Sequence, residues 1–428
     1  MPLKNIMLFL FLIASNFSKA QNPVLIGYWQ NWNDSAAPYI ALDNMDPRYS
    51  VICVSFAVPT SPSDMNMVFT PDSGTTAGFA LQIQALQSQG KKVLLSVGGA
   101  TTSVSLNNTP NHDAFVNSMT ALLTTYHFDG IDIDIEHGNS IMASGTISTP
   151  LSADSINLIA AINQIKTNYF NLYNTRMMLT FAPETAYVQG GMSAYGGIWG
   201  GYLPILDALR NDIDFIHVQL YNSGSMYGIN GMVYNQGTAD FIVSMTEAMI
   251  IGFNTSGGIF AGFPANKIVV GLPACPSSAG GGFVSTSVVA SAVNYLIGSG
   301  PQPGSYTLSQ PGGYPNLGGM MTWSINWDKV NSCNSTAYQY AANFESLFEP
   351  VLSSNSFLNI KTFEIAPNPV TRELLLKGYV QNGHYQILNL AGQLIQEGQN
   401  NDKISVDVLA SGIYLIKYDG VVKKFLKH

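Results

Sequence analysis

Short runs of apolar and β-branched residues alternate along the chain with stretches in which apolar residues recur every three or four positions. The short runs predict strands over Val24–Tyr28, Val51–Ala57, Lys92–Val97, Phe128–Glu136, Met177–Ala182, Phe215–Tyr221, Ile268–Leu272 and Met320–Ser324. The periodic stretches predict helices over Ala80–Gln89, His112–Tyr126, Ser155–Tyr169, Tyr202–Leu209, Thr238–Ile251, Ser287–Ile297 and Ala337–Leu347. Gly90 reads as a helix stop, and Asn111 and Asp154 as N-caps. Strands that alternate with helices predict βα units around a parallel sheet, and eight such strands make an α/β fold of the (β/α)8 TIM-barrel type. A doubly wound open sheet would need a glycine-rich turn after the first strand, and the sequence has none there.

The texture changes from about Pro350. Ser353–Ser356 reads as part of a linker over 351–362. HYQILNL, KISVDVL and GIYLIKY then alternate with turn residues and show no helical period. They predict a small all-β sandwich over 363–428, after a barrel domain over 21–350. Residues 1–20 read as a signal peptide. Lys4 supplies the positive start, Ile6–Ala14 the apolar run and Ser18–Ala20 the small-residue cleavage site. No later run has the length of a membrane helix, so the mature protein is expected to be exported, without a membrane span, and monomeric.

Composition narrows the partners. The net charge is −8 and only 10% of residues are charged, which leaves no basic stripe for a nucleic acid. An abundance of Tyr, Asn, Ser and Gly suits a neutral, hydroxylated ligand. Three cysteines and six scattered histidines show no metal-ligand spacing, so neither metal nor cofactor is expected. Cys53 sits in an apolar run as a small buried residue, while Cys275 and Cys333 leave a disulfide open.

The candidate chemistry lies in FDGIDIDIE, Phe128–Glu136. In a strand, Asp132, Asp134 and Glu136 share one face, and Ile131, Ile133 and Ile135 the other. Asp129 falls on the isoleucine parity. Inward neighbours two apart lie about 6–7 Å from each other along a strand, so Asp132 and Asp134 disfavour double ionisation. A proton shared in this row would keep Glu136, at the strand's C-terminal end, protonated as a general acid requires. The row itself contains no histidine, which favours catalysis over metal binding. Ser96 is inward by parity and supports the row by hydrogen bonding. Gln219 and Tyr221 share a face, with Asn222 at the loop edge. Tyr28 is a pocket candidate and Trp29 a packing residue, while Trp32 and Trp327 follow strands as candidates for stacking on sugars.

FDGIDIDIE has the DxxDxDxE form of glycoside hydrolase family 18, and the chain resembles that family in further motifs taken in strand order. These are Gly27-Tyr28-Trp29, Ser96-Val97-Gly98-Gly99, Leu179–Pro183, Gln219–Asn222 and Gly318–Trp323, over roughly Asn22 to Pro350. The resemblance implies a chitinase of the bacterial and plant-type branch that acts by substrate assistance, with retention. Glu136 would protonate the glycosidic oxygen, Asp134 would orient the substrate's acetamido group, and Asp132 would exchange a proton with Asp134. Asp129 would be structural. Gln219, Tyr221 and Asn222 would help bind the N-acetyl group, and Trp323 would be the floor under the −1 sugar. Family members that cleave the chitobiose core of N-glycans, and silent chitin-binding lectins, are the alternatives. The short interval from Leu272 to Gly318 leaves no room for the insertion that walls a deep cleft in some relatives, which implies endo action. The tail resembles the C-terminal sorting domain of type IX secretion, through Ala366–Pro369, Asn389–Ile395 and LASGIYLIKYDG. It implies the secretion machinery as partner and an extracellular protein, released or held on the cell surface. The alternative for the tail, a carbohydrate-binding module, is disfavoured because the tail has no Trp.

Overall fold

A computed structural model describes residues 23–72, 78–136, 140–330 and 335–348, and in the tail 364–377, 384–389, 393–399, 403–418 and 421–428. The signal-peptide and linker readings fall outside these residues. The chain divides into two compact units, Met1–Glu349 and Pro350–His428.

The first unit is the predicted barrel. Its strands, numbered here in chain order, are β1 Val24–Gln30, β2 Val51–Ser61, β3 Lys92–Gly98, β4 Gly130–Asp134, β5 Met178–Phe181, β6 Phe215–Ile216, β7 Val269–Pro273 and β8 Gly319–Trp323. Parallel pairing runs β7-β8-β1-β2-β3-β4-β5-β6. Parallel bridges Ile216↔Ile268 and Gln219↔Gly271 join the two ends into a ring. The helices that cover it are α1 Phe79–Ser88, α2 Thr109–Tyr126, α3 Ala153–Tyr173, α4 Leu203–Ala208, α5 Ala239–Ile251, α6 Thr286–Leu296, α7 Ile325–Lys329 and α8 Gln339–Phe348. The apolar positions of the outward strand faces and inward helix faces merge into one large core that contains Ile131, Ile133 and Ile135.

Several local readings change. The N-caps of α2 and α3 are Asn108 and Ser152, not Asn111 and Asp154; each side chain accepts the N–H three residues on. Trp327 lies within α7 and is buried against Ala37, Ala274 and Cys275, which removes it from the stacking candidates. Cys275 is disulfide-bonded and Cys53 is free and buried, while Cys333 lies outside the described residues.

The barrel interior is a separate, smaller cluster that includes Ile26, Tyr28, Val51, Cys53, Leu94, Phe215, Val269 and Met321. Its register carries the site. Ser96 on β3 is level with Asp132 on β4, Asp132 with Thr180 on β5, and Thr180 with Phe215 on β6. Gly98 at the end of β3 is level with Asp134 and has φ +108°; a Cβ there would meet the Asp134 carbonyl oxygen at 2.6 Å. Glycine is therefore what allows β3 to run close beside the acid row.

The second unit holds two antiparallel sheets. One joins Glu364–Ala366, Glu373–Lys377 and Lys403–Ser405, and the other orders Leu394–Gln399, His384–Leu388, Gly412–Tyr418 and Val421–Lys427. Val370, Leu374, Ile387, Ile404, Ile416 and Phe425 form their common core, the sandwich that the period-two pattern predicts.

Candidate active site

Strand alternation points Asp132 and Asp134 into the barrel, where both are buried. Glu136 follows the last paired residue of β4 and lines the cavity at the C-terminal mouth. The backbone between them is pinned from one side: the Tyr202 hydroxyl accepts the Ile135 N–H at 3.0 Å and donates to the Ile135 carbonyl at 2.9 Å.

Asp132 is the most heavily bonded member of the row. Its Oδ2 accepts from the hydroxyls of Tyr28 and Ser96, both at 2.7 Å, and its Oδ1 accepts from Thr180 at 2.7 Å. His217 Nε2 stands 3.3 Å from Oδ1, within ion-pair distance but not aligned for a hydrogen bond. Burial pushes the Asp132 carboxyl up, yet His217, Ser96 and Tyr28 together outweigh it and hold the group below its usual range. Asp134 goes the other way. Burial, the nearby charges of Glu136 and Asp132, and a hydrogen bond with Glu136 raise its carboxyl well above the usual range. The row is thus asymmetric, with the Asp132 carboxyl held low and the Asp134 carboxyl held high.

Gln219 joins the two outer acids. Its Nε2 donates to Asp134 Oδ1 at 2.8 Å, to Glu136 Oε1 at 3.0 Å and to the Ala182 carbonyl at 3.1 Å. Tyr221 is buried beside them, and Asn222, with φ 55°, is tied through its Oδ1 to the Gly281 N–H. Both line a cavity of about 780 Å³ together with Glu136, Gln219, Trp32, Phe56 and Trp323. That volume lies within the range of ordinary ligand pockets. Its floor is aromatic. Trp323 and Phe56 stack with centroids 5.8 Å apart and planes 15° apart, and Trp32 extends the surface at 6.3 Å from each. Trp29 is instead in the core, donating to the Ile40 carbonyl. Asp129 lies at the opposite end of β4, where it accepts from the Val93 N–H, Gln87 and Lys92.

Sequence reading missed His217, Thr180, Phe56 and Tyr202. His217 has the parity of Gln219 and Tyr221, which is the signal that places it inside. Cys53, Asp132 and His217 are also the described residues that could hold a metal, their donor atoms lying within 4.8 Å of one another. All three are buried, and both Asp132 oxygens already accept from the hydroxyls of Tyr28, Ser96 and Thr180.

An inward carboxylate row at the top of a (β/α)8 barrel, above an aromatic floor, defines a barrel enzyme of the sugar-processing class. Residues 24–303 match the glycosyl hydrolases family 18, and the chain belongs to that family. Residues 364–427 match the secretion system C-terminal sorting domain. Chitinase D of Niallia circulans is 44% identical over 321 residues, covering 74% of this chain and 60% of that protein. Chitinase Chi52 of Paenibacillus xylanexedens is 43% identical over 336 residues, covering 76% of this chain and 63% of that protein. The chain therefore spans about three-fifths of the length of these relatives. A family GH18 chitinase from Chromobacterium violaceum has a TM-score of 0.68 and 36% identity, over 77% of this chain and 84% of its own.

Proposed function

We propose that the protein is an exported chitinase that hydrolyses β-1,4 bonds between N-acetylglucosamine units with retention. The observation that carries this reading is the link from Asp134 through Gln219 to Glu136 at the edge of an aromatic-floored cavity. Trp323 offers a flat apolar ring to a pyranose face. Glu136 is positioned to protonate the glycosidic oxygen and then to activate water. Among the described residues that line the cavity, Glu136 is the only carboxylate, which supports attack by the substrate's own acetamido oxygen. Asp134, protonated and hydrogen-bonded, orients that acetamido group, with Gln219, Tyr221 and Asn222 around it. Asp132 remains the partner with which Asp134 exchanges its proton.

Cleavage is expected within chains rather than only from an end. Between β7 and β8 the described chain forms only α6, a 3-10 turn at Pro276–Ser278 and loops, with no added domain to close the groove. The domain plan follows: a signal peptide over 1–20, the barrel over 21–350, a linker over 351–362 and a sorting domain over 363–428. The test compares chitin hexamer with a high-mannose glycoprotein. Mixed-length products from the hexamer and an intact glycan support the reading. Glycan release would move the assignment to N-glycan cores, stepwise disaccharide alone would remove the endo claim, and activity on neither would leave a lectin. Deletion of 363–428 is expected to block export and leave barrel activity unchanged; normal export with lost chitin binding would make the tail a binding module.

A further inference from the structure

The rim of the cavity turns on one residue in a left-handed conformation. Asn222, which lines the cavity, has φ 55°. A residue other than glycine stays in that region only where its surroundings fix it. Gly281 takes one side: Asn222 donates its N–H to the Gly281 carbonyl at 3.2 Å and accepts the Gly281 N–H through Oδ1 at 3.1 Å. A backbone N–H can only donate, so Oδ1 is the atom turned to Gly281 and Nδ2 is the donor left for a ligand. Ser223 takes a second side, donating through Oγ to Thr185 Oγ1 at 2.7 Å. The third side belongs to Gln236, which closes the antiparallel hairpin of Ser225–Tyr227 and Val233–Asn235. Its N–H donates to the Gly224 carbonyl at 3.2 Å. Its Oε1 accepts the N–H groups of both Ser223, at 2.7 Å, and Gly224, at 3.1 Å. Its Nε2 lies against Gly281, where an added Cβ would meet it at 2.9 Å. One side-chain amide thus meets both segments of the rim, although Gln236 itself is not among the residues that line the cavity.

We propose that Gln236 is a positioning residue for Asn222: it holds the left-handed turn after β6 against Gly281, and so keeps the Asn222 amide with its donor toward an acceptor oxygen of the sugar. It touches no substrate and acts through Asn222. The kinetic part rests on the hydrolase reading above; the anchoring of the turn does not. Both bonds end on Oε1, so the role needs an acceptor and no side-chain donor. Glutamate keeps that acceptor, and leucine fills a similar volume without one. Loss of one neutral hydrogen bond to the ligand corresponds to roughly a 2- to 12-fold fall in kcat/KM.

The experiment pairs amide hydrogen exchange at Ser223 and Gly224 in the full chain with kcat/KM on chitotetraose, for wild type, Gln236→Leu and Gln236→Glu. The expected result is slow exchange of both amides in wild type, faster exchange in Gln236→Leu and restored protection in Gln236→Glu. On chitotetraose, kcat/KM should fall by the factor above in Gln236→Leu and recover in Gln236→Glu. Combined with Asn222→Gly, which accepts the same φ without the amide, Gln236→Leu should cost nothing further. An equal loss in both backgrounds would show a purely structural residue and overturn the proposal. So would a glutamate variant as impaired as the leucine one, or unchanged exchange in Gln236→Leu. Open-loop exchange of both amides in wild type overturns it too, and needs no variant to fold. Failure of wild type to cleave any oligomer would sink the hydrolase reading and leave the exchange comparison to decide the anchor.

Discussion

Replacing Gln219 with leucine removes one donor nitrogen at the centre of the site. The backbone around it should hold, since its N–H bonds the Pro183 carbonyl and its carbonyl accepts from Thr185, neither of which the substitution touches. Leucine keeps most of the buried volume, so packing loss is small. What disappears is the Nε2 link to Asp134 at 2.8 Å and to Glu136 at 3.0 Å. Hydrogen bonds to charged groups contribute about 1.5–3 kcal/mol each. Only the part that strengthens as Asp134 and Glu136 change charge along the reaction lowers the barrier. One such bond lost in the transition state corresponds to roughly a 10- to 150-fold fall in kcat/KM, at 1.36 kcal/mol per decade. Initial rates on chitotetraose at pH 7 measure it, with thermal melting to confirm that the variant is folded. A folded Gln219→Leu protein within about twofold of wild type would refute the idea that this amide organises the acids.

Tyr28→Phe removes one of three hydroxyl donors to Asp132 and should cost about 1.5–3 kcal/mol of stability at neutral pH, or about 2–4 °C in Tm for a unit of this size. The sign follows from the depressed carboxyl. Its contribution is present above the unfolded value near 3.9 and is lost as pH falls through the lower folded value, so the gap between wild type and variant should narrow in acid. A gap that widens on acidification would contradict the assignment of Asp132 as ionised. Trp323→Ala should raise KM for oligomers about 10- to 100-fold through loss of the stacking face. An unchanged KM would place the −1 floor elsewhere.

How much of this the sequence shows differs from feature to feature. The eight strands were legible because each buried strand carries a nearly continuous apolar run, and the alternation inside FDGIDIDIE gave the inward face of the acids directly. Asp129 separated from the row by parity alone. The N-caps slipped by two or three residues because Asn108 and Ser152 compete with equally plausible polar neighbours, and Pro110 can occupy a first helical turn. Trp327 looked like loop because α7 has five residues, too few to show a period. His217 escaped because the order of strands around the ring, not spacing along the chain, brings β6 across from Asp132. The division of charge in the row was out of reach for the same reason. Tyr28, Ser96 and Thr180 come from three different strands, and only their register shows that all three donate to one carboxylate while Asp134 receives none of them.

The central claim is that Glu136 delivers the proton to the glycosidic oxygen. It is tested most directly by initial rates of wild type and Glu136→Gln on chitotetraose, at equal folded concentration. Proton donation of this kind contributes about 10²- to 10⁴-fold, and the account predicts a loss in that range with substrate binding retained. A Glu136→Gln protein that cleaves chitotetraose at the wild-type rate would contradict it.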